Sequence, residues 1–195
     1  MPRTRDSYTR YPRAILWLVR GGQATFRGTD TAVASFYLSK LPISNAQYEA
    51  FDAGFERAPS SVADDDPAVG VDFEQARAYC AWYADVSRKK MRLPTELEWE
   101  YACRGPLGER NEPDIPHAGN SGDRMPELKK ARPNASGLHA MLGGVWEWTE
   151  SGVLRGGSFR TPAGEIDCSL RLAVEPIHRA DDVGFRIARA LQDHE

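Results

Sequence analysis

The sequence predicts an α+β domain, in which opening strands lead into three helices and short, glycine-bounded strands follow. Three helix-start signals lie in the first half of the chain, and the second half alternates apolar pieces with glycine turns. The length of 195 residues is long for one domain and short for two. We therefore expect an N-terminal arm at 1–13, a single domain at 14–190 and a tail at 191–195.

The chain begins with strand-like segments. The longest apolar run, residues 14–19, is too short to span a bilayer or to serve as the core of a signal peptide. We interpret it as a first core strand. Strands are predicted at Ile15–Val19, at Thr25–Phe26 after a Gly21-Gly22 turn, and at Ser35–Leu38.

Three helices are predicted near 44–56, 72–88 and 95–104. Each starts with a side chain that can accept an orphan backbone N–H, followed three residues later by a glutamine or glutamate that reaches back. These pairs are Ser44 with Gln47, Asp72 with Gln75, and Thr95 with Glu98. Gly105 is the natural residue to follow the third helix.

The cysteines are sparse. Cys80 shares an apolar helix face with Tyr79 and Tyr83, so we expect a small buried hydrophobe there, and the same for Cys103 on the third helix. An odd set of three cysteines argues against a disulfide framework. The sequence thus predicts a cytoplasmic protein. Its net charge of −3 attracts neither nucleic acid nor an anionic membrane, and neither is expected as a partner.

Residues 105–136 are rich in glycine, proline, asparagine and aspartate, which is typical of a long functional or ordered loop. Short strands are then predicted. They are Val145–Trp148, Val153–Arg155, Ser158–Phe159, Leu170–Val174 and Gly184–Ala188.

Several motifs occur together in order along the chain. They are the blocks Val69–Ala76 with Tyr79–Trp82, Arg92–Ala102 (RLPTELEWEYA), Gly143–Thr149 (GGVWEWT), Leu154–Phe159 (LRGGSF) and Gly184–Arg186. Through them the chain resembles the formylglycine-generating enzyme (sulfatase-modifying factor) family over about residues 15–189. The resemblance implies a variant of the C-type-lectin fold. Most of the motif residues are large aromatics and partly buried ion-pair partners, so they are expected to serve as framework.

The resemblance also implies a copper(I) site held by two cysteines shortly after the GGS block, since soft thiolates suit copper(I). Here Cys168 lies near the second position, one place out of register with Arg171 as anchor, and the first position has no thiol. We expect Cys168 to be either buried and inert or an isolated thiol. It is the single weak catalytic candidate, and no copper is predicted.

The family's calcium sites are likewise altered. Ala140 stands where a ligand side chain is usual, and Lys129 lies near the position of a ligand aspartate. Only Glu147 remains, with backbone oxygens of Gly143 and Val145. Calcium needs six to eight oxygens with enough negative charge, so no metal and no cofactor is predicted. The histidines show no metal-ligand spacing, and the loop between Trp148 and Leu154 is shorter than is usual in the family.

The sequence therefore predicts a trimmed pseudoenzyme that acts as a ligand- or protein-binding module. Similar folds serve as retroelement-diversified variable proteins and as regulators of bacterial signalling or secretion systems. The loop at 106–136 and the segment at 158–182 would form the binding face. Its exposed residues would be Arg160, Glu165, Asp167, His178 and Arg179.

Two alternatives stay open. One is a non-copper oxidoreductase acting on a peptide or small molecule, in which Glu165, Asp167, Cys168 and His178 would supply acid–base or nucleophilic chemistry. The other is a structural subunit whose interface lies on the N-terminal arm. The sequence leaves the oligomeric state open.

Overall fold

The computed structural model describes residues 13–105 and 115–191. The helices are α1 (Asn45–Glu49), α2 (Phe73–Ser87) and α3 (Glu96–Arg104), with one 3₁₀ turn at Leu128–Lys130. The strands are β1 (Leu16–Val19), β2 (Gly22–Phe26), β3 (Thr29–Val33), β4 (Phe36–Ser39), β5 (Trp146–Trp148), β6 (Val153–Arg155), β7 (Arg171–Ala173), β8 (Val183–Phe185) and β9 (Ala188–Ala190). The α+β prediction is confirmed. None of the helices in the described ranges has the length and apolarity to cross a membrane.

The strands form three small sheets. Their orders are β1-β4-β9, β2-β3 and β7-β6-β5-β8. All pairs are antiparallel except β5 with β8. Because β9 pairs with β4, the carboxyl-terminal part of the domain lies beside its first strands. The predicted arm and tail fall almost entirely on residues 1–12 and 192–195, outside the described residues.

All three predicted capping boxes are present, one at the start of each helix. The first helix is nevertheless shorter than the predicted 44–56 and ends at Glu49. The Asp52 side chain accepts a hydrogen bond from the Gly54 N–H, and this local turn competes with a further helical turn. Phe51 and Phe55 are thereby turned onto the ring of Tyr48.

Two strand predictions differ from the structure, and one observed strand was not predicted. Ser158–Phe159 is not a strand, because the Ser158 N–H donates to Thr161 Oγ1 in a tight turn. The predicted strand at 184–188 is divided between β8 and β9, which belong to different sheets. Strand β3 was not predicted, since its sequence TDTAV has few apolar residues and is held by the hairpin with β2.

The core has two buried clusters. One packs α2 through Ala76, Tyr79, Cys80 and Tyr83 against the sheet that contains Trp148. The other surrounds Trp99 on α3. Cys80 is a buried free cysteine, as predicted, and burial raises the pKa of its thiol to about 12.

The other two cysteines are buried, as expected for Cys103 and as one of the two possibilities for Cys168, but the expectation that neither is in a disulfide was wrong. Cys103 and Cys168 form a disulfide, with their Cα atoms 5.7 Å apart, and both are buried. Each of them is alone in its stretch of sequence and they are separated by 65 residues. The fold brings them together because the end of α3 packs against the segment that follows β6.

Candidate functional site

A sealed ion pair joins the two halves of the domain. Glu147 on β5 is fully buried and accepts hydrogen bonds from Arg186 Nε at 2.9 Å and from Trp99 Nε1 at 2.7 Å. The other guanidinium nitrogens of Arg186 donate to backbone carbonyls. These belong to Ser39, Lys40, His139 and Ala140. We call Glu147 with Arg186 the sealed pair. Its contacts are those of a framework element.

The sealed pair uses the groups that the family resemblance connects with calcium, namely the Glu147 carboxylate and the backbone at Ala140. Both oxygens of Glu147 are used by Arg186 and Trp99, and the carbonyl of Ala140 accepts from Arg186. Lys129 Nζ forms an ion pair with Asp65, so this position presents a cation that is already paired. The residues present do not fit calcium. In the described ranges, histidine, cysteine and carboxylate side chains form no group of three that could hold a metal.

The cysteines of this chain do not fit a copper site either. Two thiolates would be needed for a copper(I) site of the family type. Cys168 is bonded to Cys103, and Cys80 lies on the buried face of α2. The thiols of this chain therefore do not form the required donor pair.

Among the predicted binding residues, Arg160 lies where two loops meet. Its guanidinium pairs with Asp123 from the long loop and with Asp181. Both contacts hold the pKa of Arg160 above its ordinary value. Ser121 Oγ donates to the carbonyl of Phe159 at 2.8 Å. The described part of the long loop thus contacts the segment that was predicted to share its binding face.

Residues 175–182, here called the arginine loop, carry His178 and Arg179. Arg179 Nη2 donates to Asp72 Oδ2 at 2.6 Å, while 54% of its side chain stays exposed. His178 is half-buried and its N–H closes a turn with the carbonyl of Glu175. Ile177 beside it is 82% exposed. Together with the Asp181–Arg160 contact, this places Arg160, His178 and Arg179 around one loop.

Glu165 and Asp167 lie in a different place, on the turns that lead into and out of the disulfide. Glu165 is exposed. Asp167 accepts hydrogen bonds from the N–H and the hydroxyl of Ser169 and from the N–H of Leu170. Burial alone would raise the pKa of Asp167, but these hydrogen bonds lower it. The Asp167 carboxylate therefore holds a turn.

A second concentration of charge surrounds Arg155 and Glu96, two of the motif residues that were expected in partly buried ion pairs, but the other arginines around them were not predicted. The buried Arg155 on β6 donates to Glu100 Oε2 at 2.6 Å, to Glu96 Oε2 at 3.3 Å and to the carbonyl of Cys168 at 2.7 Å. Three further arginines reach the same two glutamates: Arg27 and Arg171 contact Glu96, and Arg104 contacts Glu100. We call these six side chains the four-arginine cluster.

The outer arginines of this cluster are only partly used. Their side chains are 55% (Arg27), 41% (Arg104) and 47% (Arg171) exposed. Burial alone would raise the pKa of Glu96. Hydrogen bonds from Arg27 and Ser151 and the neighbouring positive charges lower it instead, so the carboxylate stays ionised. Four guanidinium groups therefore face two carboxylates, and the excess positive charge lies at the surface.

A cleft of about 580 Å³ opens beside the four-arginine cluster. One wall is formed by all five residues of β2, and the other by α3 with Leu97, Glu100, Tyr101 and Arg104. A second cleft of about 440 Å³ is lined by residues 17–20, Tyr101, Ala135 and Ser136. Tyr101 lines both clefts, so they meet at its side chain. The sequence signal was Glu96, Glu100 and Arg104 at intervals of four, which places them on one helix face.

Comparison with known proteins agrees with this framework. Residues 5–191 match the model of the family described as sulfatase-modifying factor enzyme 1-like domain. An inactive C-alpha-formylglycine-generating enzyme 2 of Bos taurus is 32% identical over 157 residues, which is 63% of this chain and 50% of that protein. A hercynine oxygenase of Mycolicibacterium smegmatis is 28% identical over 234 aligned positions, which is 80% of this chain and 53% of that protein. The chain spans about half the length of these relatives.

A solved structure shows the same fold. Treponema denticola variable protein 1 superimposes with a TM-score of 0.77 at 20% identity, over 90% of this chain and 95% of that chain. At this level of identity the likeness establishes the fold, which is the variant of the C-type-lectin fold that the motifs predicted. Neither the arginine loop nor the four-arginine cluster is assigned a function by these comparisons.

Proposed function

The chain belongs to the family of sulfatase-modifying factor enzyme 1-like domains, and within that family we propose that it is a non-catalytic protein-binding module. The observation that carries the proposal is the disulfide between Cys103 and Cys168. It uses the cysteine nearest to the family's copper position to join α3 to the segment after β6. The remaining cysteine, Cys80, is sealed in the core.

The relatives are consistent with such a role. One of them is named as an inactive formylglycine-generating enzyme, and a structure of the same fold is named a variable protein. The framework that such a module needs is present, since the sealed pair fixes Trp99 and the ends of several strands. A rigid scaffold that presents variable loops is a common basis for binding.

We place the binding face on the arginine loop and its neighbours. Arg160, His178 and Arg179 would supply its polar contacts, whereas Glu165 and Asp167 lie on the turns beside the disulfide, where Asp167 interacts with Arg104, and are left out of this face. Ile177 adds an apolar side chain that is 82% exposed. Ser60 Oγ donates to the carbonyl of Asp181 at 2.8 Å, which holds the loop against the rest of the domain. Exposed apolar and arginine side chains on an anchored loop are typical of protein-binding hot spots.

The alternative of a non-copper oxidoreductase is the weaker proposal. It has support from the likeness to a hercynine oxygenase. The set it requires is Glu165, Asp167, Cys168 and His178. In that set Cys168 is the only thiol, and it is closed in a disulfide and 6% exposed. Glu165 and His178 would then have to act without a neighbouring nucleophile.

Thiol titration tests the observation on which the proposal rests. The folded, oxidised protein should show no thiol reactive toward Ellman's reagent, and the unfolded, oxidised protein should show Cys80 alone. Oxygen consumption should stay at background with copper(I) and a cysteine-containing peptide. Turnover that depends on Cys168, and is lost in Cys168→Ser, would overturn the proposal.

Affinity capture by the full chain tests the placement of the face. The substitutions Ile177→Asp and Arg179→Ala should each remove the same proteins from the captured set, as measured by quantitative mass spectrometry. Arg77→Ala is the matched control, since Arg77 is equally exposed and lies on α2 in a pair with Glu74. If capture is unchanged by the loop variants and reduced by Arg77→Ala, the face lies elsewhere.

A further inference from the structure

We propose a second binding site on this domain: the cleft between β2 and α3 takes an extended, acidic peptide segment as an added strand on the open edge of β2. This site is separate from the arginine loop. It involves the hairpin β2-β3, the outer face of α3 and the four-arginine cluster. The proposal therefore stands or fails independently of the proposed function.

The first support is the strand edge. Within the described residues β2 pairs only with β3, and the register runs from Gly22 with Val33 to Phe26 with Thr29. The hairpin closes with two residues of positive φ, Arg27 and Gly28. In such a hairpin the pair next to the turn exchanges both hydrogen bonds, and every second pair does so thereafter. The backbone N–H and C=O groups of Gln23 and Thr25 therefore point away from β3, and both residues line the cleft.

The second support is the shape of the cleft. All five β2 residues line one wall, and the helix opposite supplies Leu97 and Tyr101. The half-buried Phe26 and Ala24 add apolar surface. Added strands gain affinity from main-chain hydrogen bonds and specificity from pockets for alternate side chains. Backbone donors and acceptors on one wall and apolar side chains on the other meet both requirements.

The third support is charge. Arg27 directly follows the last residue of β2, and Arg104 lines the cleft at the carboxyl end of α3. With Arg155 and Arg171 they exceed the carboxylates of Glu96 and Glu100 by two. Counting Asp167, which interacts electrostatically with Arg104, the excess is still one. An arginine whose guanidinium is partly exposed and already oriented by a glutamate suits a second carboxylate, because its remaining N–H groups can donate to both oxygens of that carboxylate.

The length of the site favours a peptide over a small anion. Residues 17–20 line one cleft and residues 22–26 line the other, and Tyr101 lines both. Strand β1 also pairs on one edge only within the described part of the chain, since the order of its sheet is β1-β4-β9. Trp17, 44% exposed, lines the far cleft. A ligand that uses backbone edges and spans both clefts is an extended chain.

Fluorescence anisotropy with labelled peptides tests the proposal. The probe is a capped peptide of alternating threonine and glutamate, about ten residues long, which spans both clefts at roughly 3.4 Å per residue. Two control peptides separate the contributions. One replaces glutamate with lysine, and the other keeps the glutamates but carries N-methyl groups on alternate amides. Both should bind at least about tenfold more weakly than the probe, since one loses the charge match and the other the main-chain bonds.

Variants of the protein locate the site. Arg104→Gln should weaken probe binding by about fivefold or more, and Gln23→Pro by about tenfold, because proline removes an outward N–H on an edge strand. Arg77→Gln on α2 is the matched control and should change the dissociation constant by less than about twofold. Thermal unfolding of each variant monitors the fold, and Arg171→Gln replaces Arg104→Gln if the latter does not fold.

The outcomes are distinct. Equal binding of the probe and its N-methylated form would overturn strand addition, and equal binding by the wild type and both cleft variants would overturn the location. A lack of probe binding at millimolar peptide would overturn the proposal as a whole. Ile177→Asp should leave probe binding unchanged. Loss of capture by the arginine-loop variants with no probe binding would thus retain the proposed function and reject this site.

Discussion

The sealed pair and the four-arginine cluster both consist of arginine and glutamate side chains. They differ in how deeply those side chains are buried and in how fully their hydrogen bonds are satisfied. In the sealed pair both side chains are fully buried, and every guanidinium nitrogen of Arg186 has a partner. In the four-arginine cluster Arg155 is buried, yet its Nε has no hydrogen-bond partner among the described residues. The outer arginines of that cluster remain about half exposed.

The difference separates framework from surface. A buried ion pair contributes through the fit of its hydrogen bonds, and removing one partner leaves a charge with no compensation. An exposed pair contributes little to stability and keeps donors available for other partners. The sealed pair should therefore dominate stability, while the outer arginines of the four-arginine cluster should dominate recognition.

The largest expected effect comes from breaking the sealed pair. Glu147→Gln leaves the buried Arg186 without its counter-charge and should lower the free energy of unfolding by about 3–5 kcal/mol. Urea denaturation followed by circular dichroism measures it. Glu74→Gln, which removes the carboxylate of an exposed pair on α2, should cost less than about 0.5 kcal/mol. Similar denaturation midpoints for the two variants would contradict the distinction between the clusters.

The disulfide comes next. It closes a loop of 65 residues, for which the chain-entropy account gives a stabilisation of about 4 kcal/mol. Cys168→Ser and Cys103→Ser should each lose most of this, and the double variant should lose no more than either one, because all three remove the same bond. Denaturation midpoints of the three proteins check this. Additive losses would mean that the two cysteines do not act as one bond.

The features that the sequence predicted depend on residues close together in the chain. The features that it missed depend on contacts between distant segments or on local turns that interrupt a pattern. The three helix starts were found because Ser44, Asp72 and Thr95 each cap a helix with a partner three residues away. The end of the first helix was missed because the turn at Asp52 overrides the helical pattern. The framework was recognised through its motifs, in which Glu147 and Trp99 both lie.

The outer arginines of the four-arginine cluster and the disulfide were missed for a common reason, although Arg155 and Glu96 were expected to form partly buried ion pairs. Arg27, Arg155 and Arg171 lie on or next to three different strands, and only sheet pairing brings them to α3. The cysteines likewise meet only after α3 packs on the segment beyond β6. Pairing of this kind depends on the register of distant strands, which alternation of residues along one strand does not encode.

Lowering the pH should weaken the interactions of Glu98 in the first turn of α3 and so destabilise the protein. Burial alone would raise the pKa of Glu98, but hydrogen bonds from Arg92 and Thr95 bring it below its ordinary value of 4.5. A lowered pKa in the folded state gives a stabilisation that is present above the unfolded pKa and is lost as the pH falls through the folded pKa. Glu98→Gln can still close the capping box but removes the ion pair with Arg92, so it should cost roughly 1–2 kcal/mol at pH 7.

That cost should shrink as the pH falls below 4.5, because protonation removes the same interactions from the wild type. Denaturation curves of both proteins between pH 7 and pH 3 measure the difference. A gap that stays constant over this range would show that Glu98 acts through its shape and not through its charge.

The smallest effect on stability is expected at Arg27, and it sharpens the comparison most. Glu96 keeps Arg155, Arg171 and Ser151 when Arg27 is removed, and Arg27 is 55% exposed. Arg27→Ala should therefore change the free energy of unfolding by less than about 0.5 kcal/mol. The same substitution should raise the dissociation constant of the acidic peptide by about threefold, because a charge at the edge of a site contributes mainly to attraction.

Arg77→Ala is the control: it should change the stability as little as Arg27→Ala does and leave peptide binding unchanged. If Arg27→Ala instead destabilises the protein as strongly as Glu147→Gln does, the outer arginines are framework too, and the two clusters differ only in exposure.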